Sequence, residues 1–270
     1  MKMDEVKKFA VFGNPISHSL SPMIHKEFAK EQKLNIQYKA IEPESDDFET
    51  HAQSFFSKKG IGANVTIPFK DQAYNFADEK DEVSAICQCS NTLWYDDGKI
   101  KAFNTDGQGF INDLKKKNII MRDMKILILG TGGSARSIIN TLSSEDVKSI
   151  SILSRSQDNV DKIIGKFDKR KKISHYSDSD YYELVINTTP ISMTNSEIPF
   201  PESIINNNTI SYDLFYSRKQ TRFQEWSLNR GASQALDGIG MLINQAALSY
   251  EIWNKFSPDT ERVEQLIRSL

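Results

Sequence analysis

The chain has 270 residues, of which 39% are hydrophobic and 26% are charged, and its formal net charge is −2. These values are typical of a globular protein with one large domain or two modest ones, and they give no electrostatic reason to expect binding to nucleic acid or to a membrane surface. No apolar run approaches the roughly 20 residues that are needed to span a bilayer.

The two cysteines, Cys87 and Cys89, are one residue apart, which is poor spacing for a disulfide. The four histidines are scattered and complete no zinc site. We therefore expect two reduced thiols, a cytoplasmic location and no bound metal. The N-terminal segment MKMDEVKKFAVFG carries acidic residues and runs directly into a strand, so we expect no signal peptide.

The first part of the chain predicts alternating strands and helices. Strands are expected at KFAVFG, IQYKAI and GANVTI, and helices at SPMIHKEFAK, at DDFETHAQSFFSKKG and from about Lys70. Ser21 is expected to cap the first helix, with Pro22 in its first turn, and Gly60 to stop the second. The segment NTLWYDDGKIKAFN predicts a hairpin that turns at its Asp-Gly pair.

A second unit is predicted from residue 107 onward. GQGFINDLKKK indicates a connecting helix, and MKILILG is apolar throughout, as expected for a strand of a parallel sheet covered on both faces. Further strands are expected at SISILS, ELVINTT, TISYDLFY and SQALD, with helices at TGGSARSIINTLSS and TRFQEWSLNRG. Two final helices, GMLINQAALSYEIWNKF and DTERVEQLIRSL, are expected to pack back on the first unit. The pattern predicts an α/β fold with two domains.

The segment ILILGTGGSAR predicts a dinucleotide site. Its glycines allow a tight turn and a close approach of backbone N–H groups to a pyrophosphate, which the N-terminus of the following helix also favours. An apolar strand precedes the motif and a helix follows it, which is the context that separates such a site from an ordinary strand-to-helix turn. The residues predicted to bind the cofactor here are Gly130, Gly132, Gly133, Ser134 and Ala135.

The end of the next strand indicates which dinucleotide binds. An NAD site usually has Asp or Glu at this point to hold the ribose 2′-hydroxyl, whereas this chain has Ser154, Arg155 and Ser156. A guanidinium flanked by hydroxyls suits a 2′-phosphate, so we expect NADP. The alternative is an arginine that merely lies on the surface.

Five motifs stand in order along the chain: GNPISHSLSP, NVTIPFK, NTDG, GTGGSAR and DGIGMLINQA. With these motifs the chain resembles the shikimate dehydrogenase family over nearly its whole length. The resemblance implies an N-terminal substrate-binding catalytic domain, residues 1–106 completed by 239–270, and a Rossmann-like NADP-binding domain, residues 107–238. It also implies the reduction of 3-dehydroshikimate by NADPH to shikimate, in aromatic amino acid (chorismate) biosynthesis.

The resemblance further implies that Lys70 of NVTIPFK and Asp106 of NTDG face each other across the substrate. Hydride delivery to a ketone carbon leaves a developing alkoxide, which needs a positive charge and then a proton, and a lysine on a rigid corner can supply both. Asp106 would hold the ammonium in place and hydrogen-bond a ring hydroxyl. Without the other motifs, Lys70 would be interpreted as a solvated lysine and Asp106 as a helix cap.

The other ligand-binding residues are implied by their places in the motifs. The substrate residues are those for the carboxylate (Ser19, Ser21, Thr66 and Tyr216), for the ring hydroxyls (Asn91), for ordering the lysine region (Asn64) and for closing the site (Gln245). The resemblance also implies that the nicotinamide pocket is lined by Thr188, Tyr212 and Gly238. Ser21 could equally serve only as a helix cap.

The chain departs from the family pattern at two places. It has CQCSNT where the family often has Ala-Val before its Asn-Thr pair, so Cys89 and Ser90 are expected to alter the packing behind Asn91. Asn159 stands where a second arginine often follows, and Lys162 is the nearest later cation, which predicts a softer preference for NADP.

Two other functions compete with this one. A quinate dehydrogenase would use the same catalytic pair on a substrate with one more hydroxyl, and Ser154 with Arg155 argues mildly against an NAD-using enzyme of that kind. A nucleotide-binding regulator would show decay of the Lys70 and Asp106 motifs, which are both intact. The expected partner is a small-molecule substrate, without nucleic acid or membrane, and the expected state is a monomer or a homodimer.

Overall fold

The computed structural model describes residues 6–168, 172–194 and 196–270. Residues 1–5, part of the N-terminal segment predicted to lack a signal peptide, lie outside the described residues. The chain divides into two compact units, Met1–Gly109 with Leu242–Ser269 and Phe110–Met241 with Leu270. Each unit is built on a six-stranded sheet. Within the described ranges, no helix has both the length and the apolar character that a membrane span requires.

The first unit contains a mixed sheet. Its elements are β1 (Lys7–Phe12), α1 (Ser21–Gln32), β2 (Ile36–Ile41), α2 (Phe48–Ser57), β3 (Gly60–Val65), α3 (Lys70–Phe76), β4 (Glu79–Lys80), α4 (Glu82–Cys87), β5 (Thr92–Asp96), β6 (Lys99–Phe103) and the beginning of α5 (Asp106–Lys116). The strand order is β2-β1-β3-β5-β6-β4. β1 pairs in parallel with both β2 and β3, whereas β5 is antiparallel to both of its neighbours.

The second unit contains a parallel sheet. Its elements are β7 (Lys125–Leu129), α6 (Gly133–Leu142), β8 (Ser149–Leu153), α7 (Gln157–Phe167), β9 (Ile173–His175), β10 (Leu184–Asn187), two short 3₁₀ helices (Pro190–Met193 and Glu202–Ile204), β11 (Ile210–Asp213), α8 (Arg222–Leu228) and β12 (Gln234–Leu236). The chain continues with α9 (Ile239–Asn254) and α10 (Thr260–Arg268), which belong to the first unit from Leu242 onward. The strand order is β12-β11-β10-β7-β8-β9. Counted from β7, this is the Rossmann order, and it reverses between β7 and β10, where such sheets bind ligands beyond the strands' carboxyl ends.

Alternate residues of β1 cover both faces of the first sheet, as the strand period requires. Phe9 and Val11 belong to a cluster with Trp253, and Phe12 belongs to a second cluster with Phe48. Trp253 lies on α9, stacks on Phe9 with ring centroids 5.0 Å apart and donates its indole N–H to a β5 carbonyl. The C-terminal helices therefore pack on the first unit, and the predicted two-domain α/β fold is confirmed.

Two local predictions were wrong. Leu20, not Ser21, precedes the first turn of α1, because the helix begins at Ser21 itself. Gly60 does not stop α2: Lys59 takes the left-handed conformation with φ +67°, and Gly60 is already the first residue of β3. An ideal Cβ on Gly60 would clash with the Phe55 ring, so this glycine is required by packing. The Asp-Gly hairpin turn is confirmed, with φ +50° at Asp97 and +78° at Gly98.

His25 is a buried histidine in the core of the first unit. It is 1% exposed and stacks on Tyr38, with ring centroids 4.4 Å apart, beside Trp253. Neither ring nitrogen has a hydrogen-bond partner among the described residues. Burial lowers the pKa of His25 from 6.5 to about 3, and the nearby Asn64 side chain only partly opposes the shift. The imidazole is therefore neutral in the folded protein near pH 7.

This shift predicts that His25 makes the protein less stable in mild acid. The pKa in the folded state lies below the ordinary value, so the unfolded chain binds the proton first and stability falls as the pH drops below about 6.5. Between pH 7 and pH 5 this group should cost about 2 kcal/mol. His25→Phe, which cannot titrate, should remove this loss, whereas His18→Phe at an exposed position should retain it. Urea unfolding of the three proteins at both pH values checks this, and an equal loss in wild type and His25→Phe would contradict it.

Candidate active site

The predicted carboxylate-binding residues lie on loops that leave the same edge of the first sheet. β1 and β3 are parallel, so the loops that follow them meet: the backbone N–H of Asn14 donates to the Ile67 carbonyl at 3.0 Å. Ser19 lies in the loop after β1, and its hydroxyl accepts the N–H of Ser21 at 3.3 Å. Thr66 directly follows β3. The fold thus brings these hydroxyl residues to the edge at which α3 begins.

Lys70 and Asp106 form an ion pair at this edge. Lys70 is the first residue of α3 and Asp106 the first of α5, and the ammonium donates to Asp106 Oδ2. The side chains are only 13% and 5% exposed, respectively. The backbone around Lys70 is also fixed, because its carbonyl accepts the N–H of Ser90 at 2.9 Å. Because the pair is largely shielded from water, its attraction is stronger than that of a surface pair.

Two asparagines hold Asp106, one at its carboxylate and one at its backbone N–H. Asn104 Oδ1 accepts the backbone N–H of Asp106 at 3.2 Å and so satisfies the first backbone donor of α5. Asn91 Nδ2 donates to Asp106 Oδ1 at 2.9 Å, which leaves Oδ2 for Lys70. Each carboxylate oxygen therefore has its own donor, and the ammonium is held at a defined point.

The Asn91 amide has more acceptors around it than it has hydrogens. Nδ2 lies 2.8 Å from Thr105 Oγ1, 2.9 Å from Asp106 Oδ1 and 3.0 Å from Gln245 Oε1. An amide NH₂ carries two hydrogens, so a ligand hydroxyl can take one without leaving a donor unsatisfied. Gln245 Nε2 in turn donates to the Leu242 carbonyl at 2.8 Å, which folds the side chain against its own helix.

Asn64 contacts the segment of Asn91 and the core of the first unit. It faces Thr92 across the β3–β5 pair, accepts the Tyr38 hydroxyl at 2.7 Å and donates to Ser249 Oγ at 2.9 Å. Its Nδ2 also lies 3.3 Å from the Asn91 carbonyl. Asn64 therefore contacts the segment that carries Asn91.

The residues predicted to bind the cofactor gather at the carboxyl edge of the second sheet. Gly130 follows β7 with φ +109°, and an ideal Cβ there would lie 2.7 Å from Thr188 Oγ1, which follows β10. The Thr188 hydroxyl donates to the Leu129 carbonyl at 2.7 Å. Gly130 and Thr188 are thus in contact where the strand order reverses, which is where such sheets bind dinucleotides.

The remaining loop residues around α6 and α7 have different environments. An ideal Cβ on Gly132 would meet no protein atom within 4 Å, so packing does not explain this glycine. Thr131 Oγ1 lies 3.3 Å from Ser154 Oγ, which joins the glycine loop to the end of β8. Arg155 is exposed, and the Ser156 hydroxyl caps α7 by accepting the N–H of Asn159 at 3.3 Å. The loop end of α6 holds Gly133 and Ser134, while Ala135 is fully buried.

Three predicted ligand residues follow or end the last strands of this sheet. Tyr212 is fully buried, and its hydroxyl donates to Asp113 Oδ2 at 2.6 Å; burial, reinforced by the Asp113 charge, raises the pKa of Tyr212. Gly238 donates its N–H to the Phe215 carbonyl at 3.0 Å, and a Cβ on it would clash with the Leu214 carbonyl. Tyr216 is half-buried and stacks on Phe215. The Tyr212 hydroxyl thus points into the unit.

Comparisons with known proteins agree over the whole chain. The family models for the shikimate dehydrogenase substrate binding domain, for shikimate/quinate 5-dehydrogenase and for the shikimate 5′-dehydrogenase C-terminal domain match residues 11–93, 113–212 and 238–268. A shikimate dehydrogenase (NADP(+)) of Psychromonas ingrahamii is 40% identical over 265 residues, which cover 96% of this chain and 97% of that protein. The chain belongs to the shikimate dehydrogenase family.

Further relatives support this assignment. A shikimate dehydrogenase (NADP(+)) of Colwellia psychrerythraea is 36% identical and covers 97% of this chain and 96% of its own. The crystal structure of a shikimate dehydrogenase in complex with NADP+ superposes with a TM-score of 0.87 at 28% identity, covering 98% of this chain and 95% of that one. The family and the oxidoreductase class predicted from the sequence are confirmed, and NADP is the dinucleotide of these shikimate dehydrogenases.

The sequence prediction omitted several residues that the structure places in contact with the shikimate dehydrogenase motifs. Thr92 and Thr105 each follow an asparagine of a predicted motif, and Ser249 lies four residues after Gln245, on the same face of α9. These spacings were available as signals. The departure at Cys89 proves to lie behind the site, since its Sγ accepts Asn104 Nδ2 at 3.3 Å.

The two glycines of the cofactor loop should respond differently to substitution. Gly130→Ala places a Cβ against Thr188 at φ +109°, so it should destabilise the protein by roughly 1–3 kcal/mol. Gly132→Ala has room in the protein and an ordinary φ, so stability should stay near that of the wild type. It should nevertheless weaken NADP binding at least about tenfold, because the methyl group would obstruct the pyrophosphate. Urea unfolding and titration with NADP check both results, and unchanged affinity in Gly132→Ala would contradict the second.

Proposed function

We propose that this chain is an NADP-dependent shikimate dehydrogenase that reduces 3-dehydroshikimate to shikimate in aromatic amino acid (chorismate) biosynthesis. The observation that carries the proposal is the shielded Lys70–Asp106 pair, oriented by Asn91, in a chain of this family. A proton donor next to a fixed carboxylate and an amide suits the reduction of a ketone on a ring that carries hydroxyls.

The proposed reaction needs one hydride and one proton. NADPH, when bound, supplies the hydride to the ketone carbon of the substrate. Lys70 stabilises the negative charge that develops on the ketone oxygen and then transfers a proton from Nζ to it, so the product is a secondary alcohol. Asp106 keeps the ammonium in place through Oδ2. Proton return to Lys70 from solvent restores the starting state.

The proposed ring contacts use the surplus acceptors around Asn91. A substrate hydroxyl can accept a hydrogen from Asn91 Nδ2 and donate to Asp106 Oδ1, replacing their mutual contact of 2.9 Å. Gln245, which lies 3.0 Å from the same nitrogen, can turn its amide toward another hydroxyl. Asn64 supports Asn91 from behind. The residues proposed for the substrate carboxylate are Ser19, Ser21, Thr66 and Tyr216.

The proposed NADP site uses the carboxyl edge of the second sheet. The N-terminal turn of α6 and Gly132 suit the pyrophosphate, and Arg155 with Ser154 suits the 2′-phosphate. The residues proposed for the nicotinamide end are Thr188, Tyr212 and Gly238. We assign substrate binding to residues 1–106 with 239–270 and cofactor binding to residues 107–238, and we propose a cytoplasmic monomer or homodimer.

An assay of the purified protein at 340 nm tests this function. Shikimate and quinate are each combined with NADP and with NAD, and the rate of reduced cofactor formation is measured. We expect the highest kcat/KM for shikimate with NADP, and the reverse reaction with 3-dehydroshikimate and NADPH to proceed faster near neutral pH. A higher kcat/KM for quinate would indicate a quinate dehydrogenase instead, and no turnover of either acid would refute the proposal.

Substitution of the ion pair should lower kcat much more than it lowers stability. Lys70→Ala removes the proton donor and Asp106→Asn removes the charge that holds it, so each should lower kcat by on the order of 10²–10⁴. The double variant should lose far less than the product of the two effects, because the residues act as a unit. Lys99→Ala breaks the exposed Lys99–Glu79 pair and is the matched control, with kcat expected to be unchanged. Fully multiplicative losses would show that Lys70 and Asp106 act independently.

Arg155 should determine the preference for NADP. A charge-assisted hydrogen bond to the 2′-phosphate contributes roughly 1.5–3 kcal/mol, or about 10- to 150-fold in affinity. Arg155→Leu should remove this contribution to the affinity for NADP and leave the affinity for NAD almost unchanged, because the 2′-hydroxyl needs no cation. Lys162→Leu, which removes an exposed cation from α7, serves as the control. The measurement is kcat/KM for both cofactors at saturating shikimate, and an unchanged ratio in Arg155→Leu would rule out this site for the phosphate.

A further inference from the structure

Buried polar side chains continue behind Asn91 into the core of the first unit. Ser249 is fully buried on α9, one turn after Gln245. Its Oγ lies 2.9 Å from Asn64 Nδ2, 2.7 Å from Thr92 Oγ1 and 3.0 Å from the Gln245 carbonyl. Thr92, which is also fully buried, lies 3.1 Å from Asn91 Oδ1. The Ser249 hydroxyl therefore contacts its own helix, α9, and one residue on each of the strands β3 and β5.

Counting donors and acceptors gives these hydrogen bonds a direction. The Gln245 carbonyl already accepts the helical N–H directed to it along α9 and the Thr105 hydroxyl at 3.0 Å, which together occupy both of its lone pairs. Among the residues that the structure describes, Asn91 Oδ1 accepts only the N–H of Thr105, at 2.9 Å, before Thr92 is counted. The Ser249 hydroxyl is also within donating distance of the Gln245 carbonyl, at 3.0 Å, but that carbonyl already has two donors. We therefore assign the Ser249 hydrogen to Thr92 and the Thr92 hydrogen to Asn91 Oδ1.

The neighbouring hydrogen bonds on either side of Ser249 and Thr92 have the same direction of donation. Upstream, the Tyr38 hydroxyl donates to Asn64 Oδ1, so the Asn64 amide must turn its NH₂ toward Ser249. Downstream, an Asn91 amide whose oxygen accepts from Thr92 must turn its NH₂ toward Asp106. We propose that Ser249 is a positioning residue of the active site: it links Asn64 to Thr92 and thereby sets the Asn91 amide so that it donates to the Asp106 carboxylate.

The orientation of Asn91 matters because its two ends are chemically opposite. If the amide turned over, Oδ1 would face Asp106 Oδ1, and two acceptors about 3 Å apart repel each other. The carboxylate that holds Lys70 would then shift. The Thr105 N–H also favours the native orientation, so Ser249 and Thr92 supply a second, side-chain restraint. The catalytic role of these linked hydrogen bonds rests on the proposed function, whereas their geometry does not depend on it.

Four variants test whether the hydrogen bonds through Ser249 and Thr92 orient Asn91. Ser249→Ala and Thr92→Val each remove one link, and each should lower kcat for shikimate about tenfold while the KM for NADP stays within twofold of the wild type. The double variant should be no worse than the poorer single one, because one chain is broken in each case. Thr92→Ser retains the hydroxyl and loses a methyl group, so it should recover most of the kcat that Thr92→Val loses.

A matched control separates positioning from stability. Ser227 is also a fully buried helical serine, on α8, whose hydroxyl lies 2.6 Å from Ser211 Oγ and donates to the Gln224 carbonyl at 3.0 Å. Ser227→Ala should lower the Tm about as much as Ser249→Ala and leave kcat unchanged. A kcat in folded Ser249→Ala and Thr92→Val within twofold of the wild type would overturn the proposal. Multiplicative losses in the double variant, or an equal loss of kcat in Ser227→Ala, would also overturn it.

A measurement independent of turnover keeps this inference separate from the proposed function. The side-chain NH₂ resonances of Asn91, assigned with Asn91→Asp, report whether the amide is held. In the wild type we expect both hydrogens to exchange slowly with solvent, and in Ser249→Ala at least tenfold faster. Unchanged exchange would overturn the role of Ser249 even in an active enzyme. An inactive wild type with faster exchange in the variant would refute the function and leave the orienting chain in place.

Discussion

The contact between Lys70 and Asp106 is the interaction around which the candidate active site is built. The two residues are 36 positions apart and begin different helices, yet their charges meet with little exposure to water. Removing two charges from water is costly unless further hydrogen bonds satisfy their remaining atoms. Asn91 provides such a bond to the carboxylate, and Asn104 satisfies the backbone N–H of Asp106. The motifs around the pair therefore have a common physical task, which is to make a shielded ion pair tolerable in one geometry.

The polar core behind the pair follows from the same requirement. An asparagine can hold a carboxylate only if its own oxygen is satisfied, and here that oxygen is satisfied by Thr105 and Thr92. The hydrogen bonds continue inward through Ser249 to Asn64 and end at Tyr38. The Tyr38 ring lies in the aromatic cluster around His25. A buried network of this kind stabilises one arrangement because every member has a partner. His25, which is neutral, stacks on the Tyr38 ring and adds no charge beside the network.

The sequence predicted the parts of this design that lie in short segments. The order of the motifs indicated the family, because each motif is a loop at a strand end and needs only neighbours along the chain. The Asp-Gly turn was predictable for the same reason. Gly60 was misassigned because glycine commonly ends helices, whereas here the Phe55 ring requires it and Lys59 takes the positive φ. Ser249 was missed because only its spacing from Gln245 is local, whereas its other partners lie 157 and 185 residues away in the chain.

The cofactor loop shows how one motif combines two kinds of constraint. Gly130 is required by the fold, since its φ and its contact with Thr188 exclude a side chain, and the Leu214 carbonyl imposes a similar limit on Gly238. Ala135 is buried against the sheet. Gly132 and Arg155 differ, because no contact in the described part of the chain explains the missing Cβ at Gly132 or the guanidinium at Arg155. Most of the motif therefore maintains the switch point of the sheet, and the choice of ligand is left to the few positions whose residue type the fold does not require.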